Sequence, residues 1–399
     1  MCRVHDSQSG GKQLRLKKWQ LSYMIGLALV LVLFALEYLG VHIPEVPLRV
    51  GELLGGVMLI AGACEAFVLS VEGISVNMNM TDYVAGIYAS LASTIPELSV
   101  LSFLIISGEY EMAWVLALAT IFMNSLVFAI YTLILPKDET GSFHLPDAIN
   151  WVGSDLLSMA SVISLSVGLS MLLVHGFAVE APSLPALLTS DELFVFGLAL
   201  VSVFIAYLYR ITKYYGKCDP AAADSMLTCE IEHEHMSRRK LGIFVFLASL
   251  GALLGGEALS SFATYASSPQ GLNLSFIHAA LLLVIFSGTP EYIIVASSHR
   301  KQQIEIALSN AFGGIVQVFF VVFGFTLIAT AFAGGFIPID LFSVVLLVFA
   351  FPTLFILRVM ITDDSKVNAL ESVAMIAVFI MMLYILLTWG VYTVDMGLG

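Results

Sequence analysis

Residues 83–107 read YVAGIYASLASTIPELSVLSFLIIS, with the step Ser93-Thr94-Ile95-Pro96-Glu97 in the middle of an otherwise apolar stretch. A second apolar stretch, 274–298, contains the step Ser287-Gly288-Thr289-Pro290-Glu291. Each stretch exceeds the roughly 20 residues that a bilayer-spanning helix needs. Proline removes a backbone donor from a helix, and a carboxylate near the bilayer midplane is costly. The sequence therefore predicts two transmembrane helices that are interrupted by Pro96 and Pro290 and that each carry one buried acid.

The composition supports a membrane protein. Of the 399 residues, 59% are hydrophobic and only 12% are charged, and the charged fraction is about half that of a soluble domain. A single soluble core cannot bury so much apolar surface. A soluble enzyme and a disordered chain are therefore excluded. The net charge of −13 also argues against a nucleic-acid-binding protein, because phosphate backbones attract basic surfaces.

The remaining hydrophobic runs set the fold class. They are continuous rather than alternating, which favours helices over a transmembrane barrel. We predict an all-α polytopic membrane protein with about eleven transmembrane helices, namely one N-terminal helix and two inverted five-helix repeats. The predicted spans are 21–41, 51–72, 83–107, 112–135, 149–175, 192–212, 241–265, 274–298, 304–334, 337–360 and 367–391.

The distribution of Lys and Arg predicts the orientation. With eleven spans and a cytoplasmic N-terminus, only Arg49 among the assigned basic residues falls outside, in agreement with the positive-inside rule. We expect a multi-pass plasma-membrane protein whose N-terminus and central loop are cytoplasmic and whose C-terminus lies on the opposite side. The predicted units are a cytoplasmic N-terminus with the first helix, a first repeat, an acidic loop and a second repeat, at residues 1–45, 46–212, 213–240 and 241–399.

Polar residues inside the spans repeat at a nearly constant spacing. Glu97 and Glu291 are 194 positions apart, Glu65 and Glu257 are 192 apart, and Asn124 and Gln317 are 193 apart. The third and eighth spans run in opposite directions, so the repeat is inverted. Many secondary transporters use this arrangement around a binding site at the membrane midplane.

The paired steps carry oxygen ligands that suit Ca²⁺. We predict a metal site of Glu97, Glu291, Asn124 and Gln317. The residues predicted to line the ion path are Ser93, Thr94, Ser287, Thr289, Thr120, Glu65 and Glu257. Soft ligands are absent from these segments, which argues against copper or iron. A lone buried Glu, Asn or Gln can instead form an interhelical hydrogen bond. For Glu65 and Glu257 three roles stay open, namely an interhelical hydrogen bond, proton transfer and a position beside the ion path.

The second step and the span after it read SGTPEYIIVASSHRKQQIEIALSNAFGGIVQVFFVVFG. This stretch resembles the second repeat of calcium/proton exchangers in the calcium/cation antiporter superfamily. In those exchangers the second repeat contains the run D-I-x-L-G-x-x-x-G-S-x-T-Q. Glu291, Gly313 and Gln317 match the essential acid, the motif glycine and the motif glutamine. The resemblance implies close packing of helices at Gly313 and Gly314, the latter standing where a serine is common. The first repeat is looser, with matches at Pro96, Glu97, Thr94, Thr120 and Asn124.

Residues and resemblance together predict a secondary active antiporter. Ca²⁺ would cross at a two-glutamate site by alternating access, in exchange for H⁺. Fewer polar groups than in sodium/calcium exchangers favour protons, since Phe128 and Val318 stand at positions where those exchangers place Asp or Asn. Na⁺ coupling, and Mg²⁺ or Mn²⁺ as the transported ion, remain alternatives. A channel fits the inverted internal repeat less well, and the spans hold no catalytic nucleophile–base pair, so we expect neither enzyme activity nor a cofactor.

The central loop offers a second possible metal site. It contains Cys218, Cys229, His233 and His235, but a cysteine spacing of eleven does not match a zinc pattern. An acidic, solvated connector is favoured. We expect membrane lipid and inorganic cations as partners and no nucleic acid, and the oligomeric state stays open.

Overall fold

The structure of the chain is a computed structural model. It describes residues 18–41, 43–78, 80–146, 149, 153–180, 187–215, 236–363 and 365–395. Within these residues eleven helices are long and apolar enough to cross a membrane. The all-α polytopic fold predicted from the sequence is therefore confirmed.

The described residues of the first half of the chain form seven helices and two short strands. Their bounds are α1 Lys18–Tyr38, α2 Glu45–Met78, α3 Asp82–Ser93, α4 Ile95–Ile106, α5 Tyr110–Ile134, β1 Ser142–His144, α6 Ser154–Glu180, β2 Leu187–Leu188 and α7 Ser190–Tyr215. The second half contains α8 Arg238–Ser267, α9 Phe276–Ser287, α10 Thr289–Arg300, α11 Ile304–Gln317, α12 Gly324–Phe332, β3 Ile337–Pro338, α13 Leu341–Thr362, β4 Lys366–Asn368 and α14 Ala369–Asp395.

Both predicted interruptions are present. The third span consists of α3 and α4, which are separated only by Thr94, and the eighth consists of α9 and α10, which are separated only by Gly288. Each proline lies in the first turn of the helix that follows, where its missing N–H would have no partner in any case. Each break therefore places the start of one half-helix and the end of another inside the membrane.

The long helices α2 and α8 pack against each other in antiparallel directions. A Cβ atom on Gly56 would lie 3.1 Å from the carbonyl oxygen of Gly255, and one on Gly255 would lie 3.1 Å from that of Gly56. The two glycines thus let the backbones approach closely, as small residues do in membrane helix pairs. Helix α1 packs beside this pair, and the Tyr23 hydroxyl donates to the Leu247 carbonyl at 2.7 Å.

Two antiparallel ladders join loops from the two halves. Strand β1 pairs with β4, and β2 pairs with β3. The loops after the fourth and tenth spans therefore meet at one end of the molecule, and the loops after the fifth and ninth meet at the other. This matches the alternation expected of eleven spans. Following the orientation predicted from the sequence, the end with β2 and β3 is called the outer end below, and the end with β1 and β4 is called the inner end.

The ninth span contains a feature that the sequence did not predict. After Gln317, residues Val318–Phe323 form a π-helical segment before α12 begins. The equivalent fourth span is a single α-helix, α5. Such π segments frequently occur at functional sites, and this one follows directly after a predicted site residue.

Candidate cation-binding site

The two helix breaks bring Glu97 and Glu291 together. Each glutamate lies in the first turn of its half-helix, α4 or α10, and each is buried, with 3% and 4% of the residue exposed. The two carboxylates are close enough to interact electrostatically. Neither takes part in an ion pair with a lysine or arginine of the described residues. Two acids from opposite repeats thus share one buried region, in which no described lysine or arginine is paired with them.

Several polar atoms in this region lack hydrogen-bond partners among the described residues. Both oxygens of Glu97, Oε1 of Glu291, the Ser287 hydroxyl and both amide atoms of Asn124 are buried in this way. Buried polar groups are otherwise nearly always paired, because desolvation without a partner costs about 1–3 kcal/mol. A bound cation would satisfy the oxygens in this set.

Asn124, on α5, lies beside the Glu291 carboxylate. The Asn124 Nδ2 atom and both carboxylate oxygens of Glu291 are each 3.1 Å from the position that a Cβ on Gly314 would occupy. Neither amide atom of Asn124 makes a hydrogen bond of regular geometry to another described residue. Because Gly314 has no side chain, the backbone of α11 can lie close to both the Asn124 amide and the Glu291 carboxylate.

Gln317 occupies a different environment from Asn124. Its Nε2 donates to the Ile87 carbonyl at 3.0 Å, and its Oε1 accepts from the Ser90 hydroxyl at 2.9 Å. Gly313 lies at the same contact, where a Cβ would be 3.3 Å from the side chains of Ile87 and Ser90. Gln317 and Gly313 thus attach α11 to α3, and the Gln317 amide is already engaged.

Most of the predicted path hydroxyls bond to nearby backbone. Ser93, Thr94 and Thr120 donate to carbonyls three or four residues earlier, at 2.7–2.8 Å. Thr289 donates to the Ile285 carbonyl at 3.4 Å, and Ile285 is 49% exposed. The structure therefore places Thr289 toward the surface rather than beside the acids. Ser287 is the predicted hydroxyl that remains available, because it has no hydrogen-bond partner among the described residues.

Glu257 lines a cavity of about 710 Å³ at the outer end, together with Phe103, Ser107 and Ser260. Phe103 follows Glu97 by six residues of α4, which is a rise of about 9 Å. The cavity therefore extends along the half-helix that begins at the site. Glu65 lies partly buried on α2 and is engaged in an interaction.

A second outer cavity, of about 780 Å³, is lined by Glu109, Glu111 and Thr264. Burial raises the pKa of Glu109, which lies in the loop between α4 and α5. Thr264 and Ser268 line both cavities. The outer end thus carries two neighbouring cavities with acidic and polar walls.

A buried ion pair near the outer end was not predicted. Glu52, which is fully buried on α2, accepts from Arg49 at 2.9 and 3.0 Å and from Ser261 of α8 at 3.1 Å. Arg49 also donates to Glu37 at 3.1 Å. These bonds join α1, α2 and α8. The sequence predicted only the side of the membrane on which Arg49 lies, because it does not indicate which residues meet between helices.

Asn310 is a second residue that the sequence did not single out. It is fully buried on α11, and neither amide atom has a hydrogen-bond partner among the described residues. It precedes Gln317 by seven residues, which is about two helical turns. Its polar side chain inside a predicted span could have drawn attention to it, but the exchanger motif leaves this position unspecified.

The possible metal ligands of the central loop lie outside the described residues. Cys218, Cys229, His233 and His235 belong to the undescribed part of the central loop. Cys64 is a buried free thiol. In the ranges that the structure describes, no group of three or more His, Cys, Asp and Glu side chains is arranged to hold a metal ion. A cation site here therefore depends on two acids supplemented by neutral oxygens.

Comparison with known proteins agrees with this architecture. Residues 241–388 match the family model described as sodium/calcium exchanger protein. The second half of the chain is therefore similar to sodium/calcium exchanger proteins. The match covers the second repeat, which contains Glu291, Gly313, Gly314 and Gln317. No curated protein matches the chain significantly in sequence.

Solved structures of two exchangers share the fold. The crystal structure of the H⁺/Ca²⁺ exchanger CAX is 15% identical, with a TM-score of 0.64 over 94% of this chain and 93% of that chain. A structure of the sodium-calcium exchanger NCX_Mj is also 15% identical, with a TM-score of 0.56 over 84% of this chain and 97% of that chain. The chain therefore has the fold that these two exchanger structures share.

Proposed function

We propose that this protein is a secondary active antiporter that moves Ca²⁺ across the membrane in exchange for H⁺. The observation that carries the proposal is the pair Glu97 and Glu291, two buried carboxylates that lack a basic partner in the described structure and retain unpaired oxygens. The likeness to an H⁺/Ca²⁺ exchanger and to a sodium-calcium exchanger supports Ca²⁺ antiport in general terms.

The chemistry of the donors favours a hard divalent cation. Carboxylate, amide and hydroxyl oxygens are Ca²⁺ ligands, and Glu97, Glu291, Asn124 and Ser287 supply all three kinds. The two acids lie at the starts of α4 and α10, where the helix dipole stabilises negative charge. The dipoles thus offset part of the cost of holding two carboxylates in this buried region when a cation binds.

Obligatory exchange follows from the charge of the pair. Two ionised carboxylates in one low-dielectric region repel each other unless a cation or protons neutralise them. In the proposed cycle, Ca²⁺ neutralises the pair in one direction and protons neutralise it in the other. An empty, doubly charged site would be too costly to occlude, so a leak without exchange is suppressed.

Fluxes in proteoliposomes test this proposal. The purified protein should accumulate ⁴⁵Ca²⁺ when an outward proton gradient is imposed and should do so less when only a sodium gradient is imposed. Glu97→Gln and Glu291→Gln should abolish uptake, whereas Glu139→Gln, in an exposed loop, should retain it. Uptake driven by sodium alone would show that the counter-ion is Na⁺ and not H⁺. No uptake under either gradient would refute Ca²⁺ antiport.

A further inference from the structure

A groove opens between α5 and α10 in the inner half of the molecule. It has a volume of about 280 Å³ and is lined by Val127, Ile130, Ile134 and Val295, with the ring of Tyr292 also in its wall. Helices α5 and α10 both end at the inner end, at Ile134 and Arg300. The groove therefore runs from the inner membrane surface toward the helix break.

The groove faces the membrane and is apolar. Ile130 and Ile134 are 46% and 60% exposed, although both lie within a membrane-spanning helix. An ordered water needs about two to four polar partners, and the aliphatic side chains that form most of this lining provide none. The chemistry of the groove thus fits a hydrocarbon chain from the bilayer.

The inner end of the groove is basic. Arg300 lines the groove and is exposed, and its side chain forms no hydrogen bond or ion pair with another described residue. His299 also lines it, and its ring packs edge-on against Tyr131 with centroids 5.7 Å apart. Lys301 follows directly at the C-terminal end of α10. The fork of an arginine side chain suits a phosphate group, and the end of a helix favours positive charge.

We infer that this groove binds an anionic phospholipid of the inner leaflet. Its acyl chain lies against Ile130, Ile134 and Val295, and its phosphate is held by Arg300. The deep end is formed by Tyr292, the residue after Glu291. The Tyr292 hydroxyl is 2.6 Å from the position of a Cβ on Gly288, at the helix break. A bound lipid therefore packs against a side chain that adjoins the candidate cation site. This binding is independent of which cation the protein transports.

Native mass spectrometry of the purified full-length protein tests the inference. Phosphatidylglycerol and phosphatidylcholine with identical acyl chains are added separately. The wild-type protein should retain phosphatidylglycerol about fivefold better, as expected for one basic residue near an anionic headgroup. Arg300→Gln should remove this preference. Ala296→Trp, at an exposed lining position, should reduce retention of both lipids by filling the groove.

Arg239→Gln is the matched control. Arg239 is exposed at the start of α8, at the same end of the molecule, but does not line the groove. It should leave the lipid preference unchanged. Equal retention of the two lipids by the wild-type protein would overturn the inference, as would equal losses in Arg300→Gln and Arg239→Gln. Unchanged retention in Ala296→Trp would also overturn it. Arg300 is a surface residue, so its variant should fold even if the tryptophan variant does not.

Discussion

The fourth and ninth spans carry equivalent amides in different states. Asn124 lies beside Glu291 with no regular hydrogen bond, whereas Gln317 is bonded to Ser90 and Ile87. Ser90 precedes Val284 by 194 positions, the spacing of the two glutamates. The first repeat thus has a hydroxyl that engages Gln317, and the second has an apolar side chain at the corresponding place. Repeated sequence positions therefore need not have repeated roles.

The glycine pair differs in the same way. Gly314 faces Glu291 and Asn124, whereas Gly313 faces Ile87 and Ser90. One glycine borders the candidate site, and its neighbour borders a contact between α11 and α3. The ninth span thus contributes both to the site and to the packing that supports it, and its two faces can be tested separately.

The largest expected effect comes from the two acids, where the repeats should behave alike. Glu97→Gln and Glu291→Gln should each lower the rate of Ca²⁺ uptake by at least about 100-fold, because losing a charged ligand from a low-dielectric site costs several kcal/mol. Uptake into proteoliposomes, normalised to the amount of inserted protein, measures this. If one of the two variants retains near-normal uptake, the two acids do not form one site.

A smaller effect should separate the two amides. Asn124→Ala should weaken the apparent affinity for Ca²⁺ about tenfold, equivalent to about 1.4 kcal/mol, with little change in thermal stability. Gln317→Ala should instead lower the free energy of unfolding by roughly 1–2 kcal/mol, because two hydrogen bonds between α11 and α3 are lost. Concentration dependence of uptake and thermal unfolding in detergent measure the two quantities. The reverse pattern would show that Gln317 is the ligand.

The two glycines should likewise differ in whether their substitution affects Ca²⁺ affinity or stability, with smaller effects than for the amides. Gly314→Ala would place a methyl group 3.1 Å from the Glu291 oxygens and should weaken apparent Ca²⁺ affinity several-fold, on the order of 1 kcal/mol of overpacking. Gly313→Ala should mainly lower thermal stability, because its Cβ meets Ile87 and Ser90. The same two assays apply, and equal effects of both variants on affinity would argue against the assignment.

Ser90→Val should have the smallest effect on transport. It removes the hydroxyl that donates to Gln317 and makes this position resemble Val284 in the other repeat. The expected cost is about 1 kcal/mol of stability for one lost hydrogen bond, with apparent Ca²⁺ affinity within about twofold of wild type. A large loss of affinity would indicate that Ser90 itself contacts the ion.

The sequence predicted the features that depend on membrane physics. The eleven spans follow from their length and hydropathy, and the breaks at Thr94 and Gly288 follow from the prolines. The proximity of Glu97 and Glu291 was expected because they occupy matching positions in an inverted repeat. These inferences need only the chain itself and the properties of the bilayer.

Features that depend on neighbours across helices were not predictable. The bonds of Gln317 to α3, the pairing of Glu52 with Arg49 and Ser261, and the orientation of Thr289 all depend on how helices rotate against each other. Hydropathy does not determine that rotation, because most faces of these helices are apolar. The π-helical turn after Gln317 likewise has no proline or glycine signal within Val318–Phe323.

The central claim is that Glu97 and Glu291 together form one cation site. Equilibrium binding of ⁴⁵Ca²⁺ to the purified protein, in the wild type, both single glutamine variants and the double variant, tests it most directly. The account predicts one saturable ion per chain in the wild type and its loss in each single variant, with no further loss in the double variant. Additive losses, or a full site in either single variant, would contradict it.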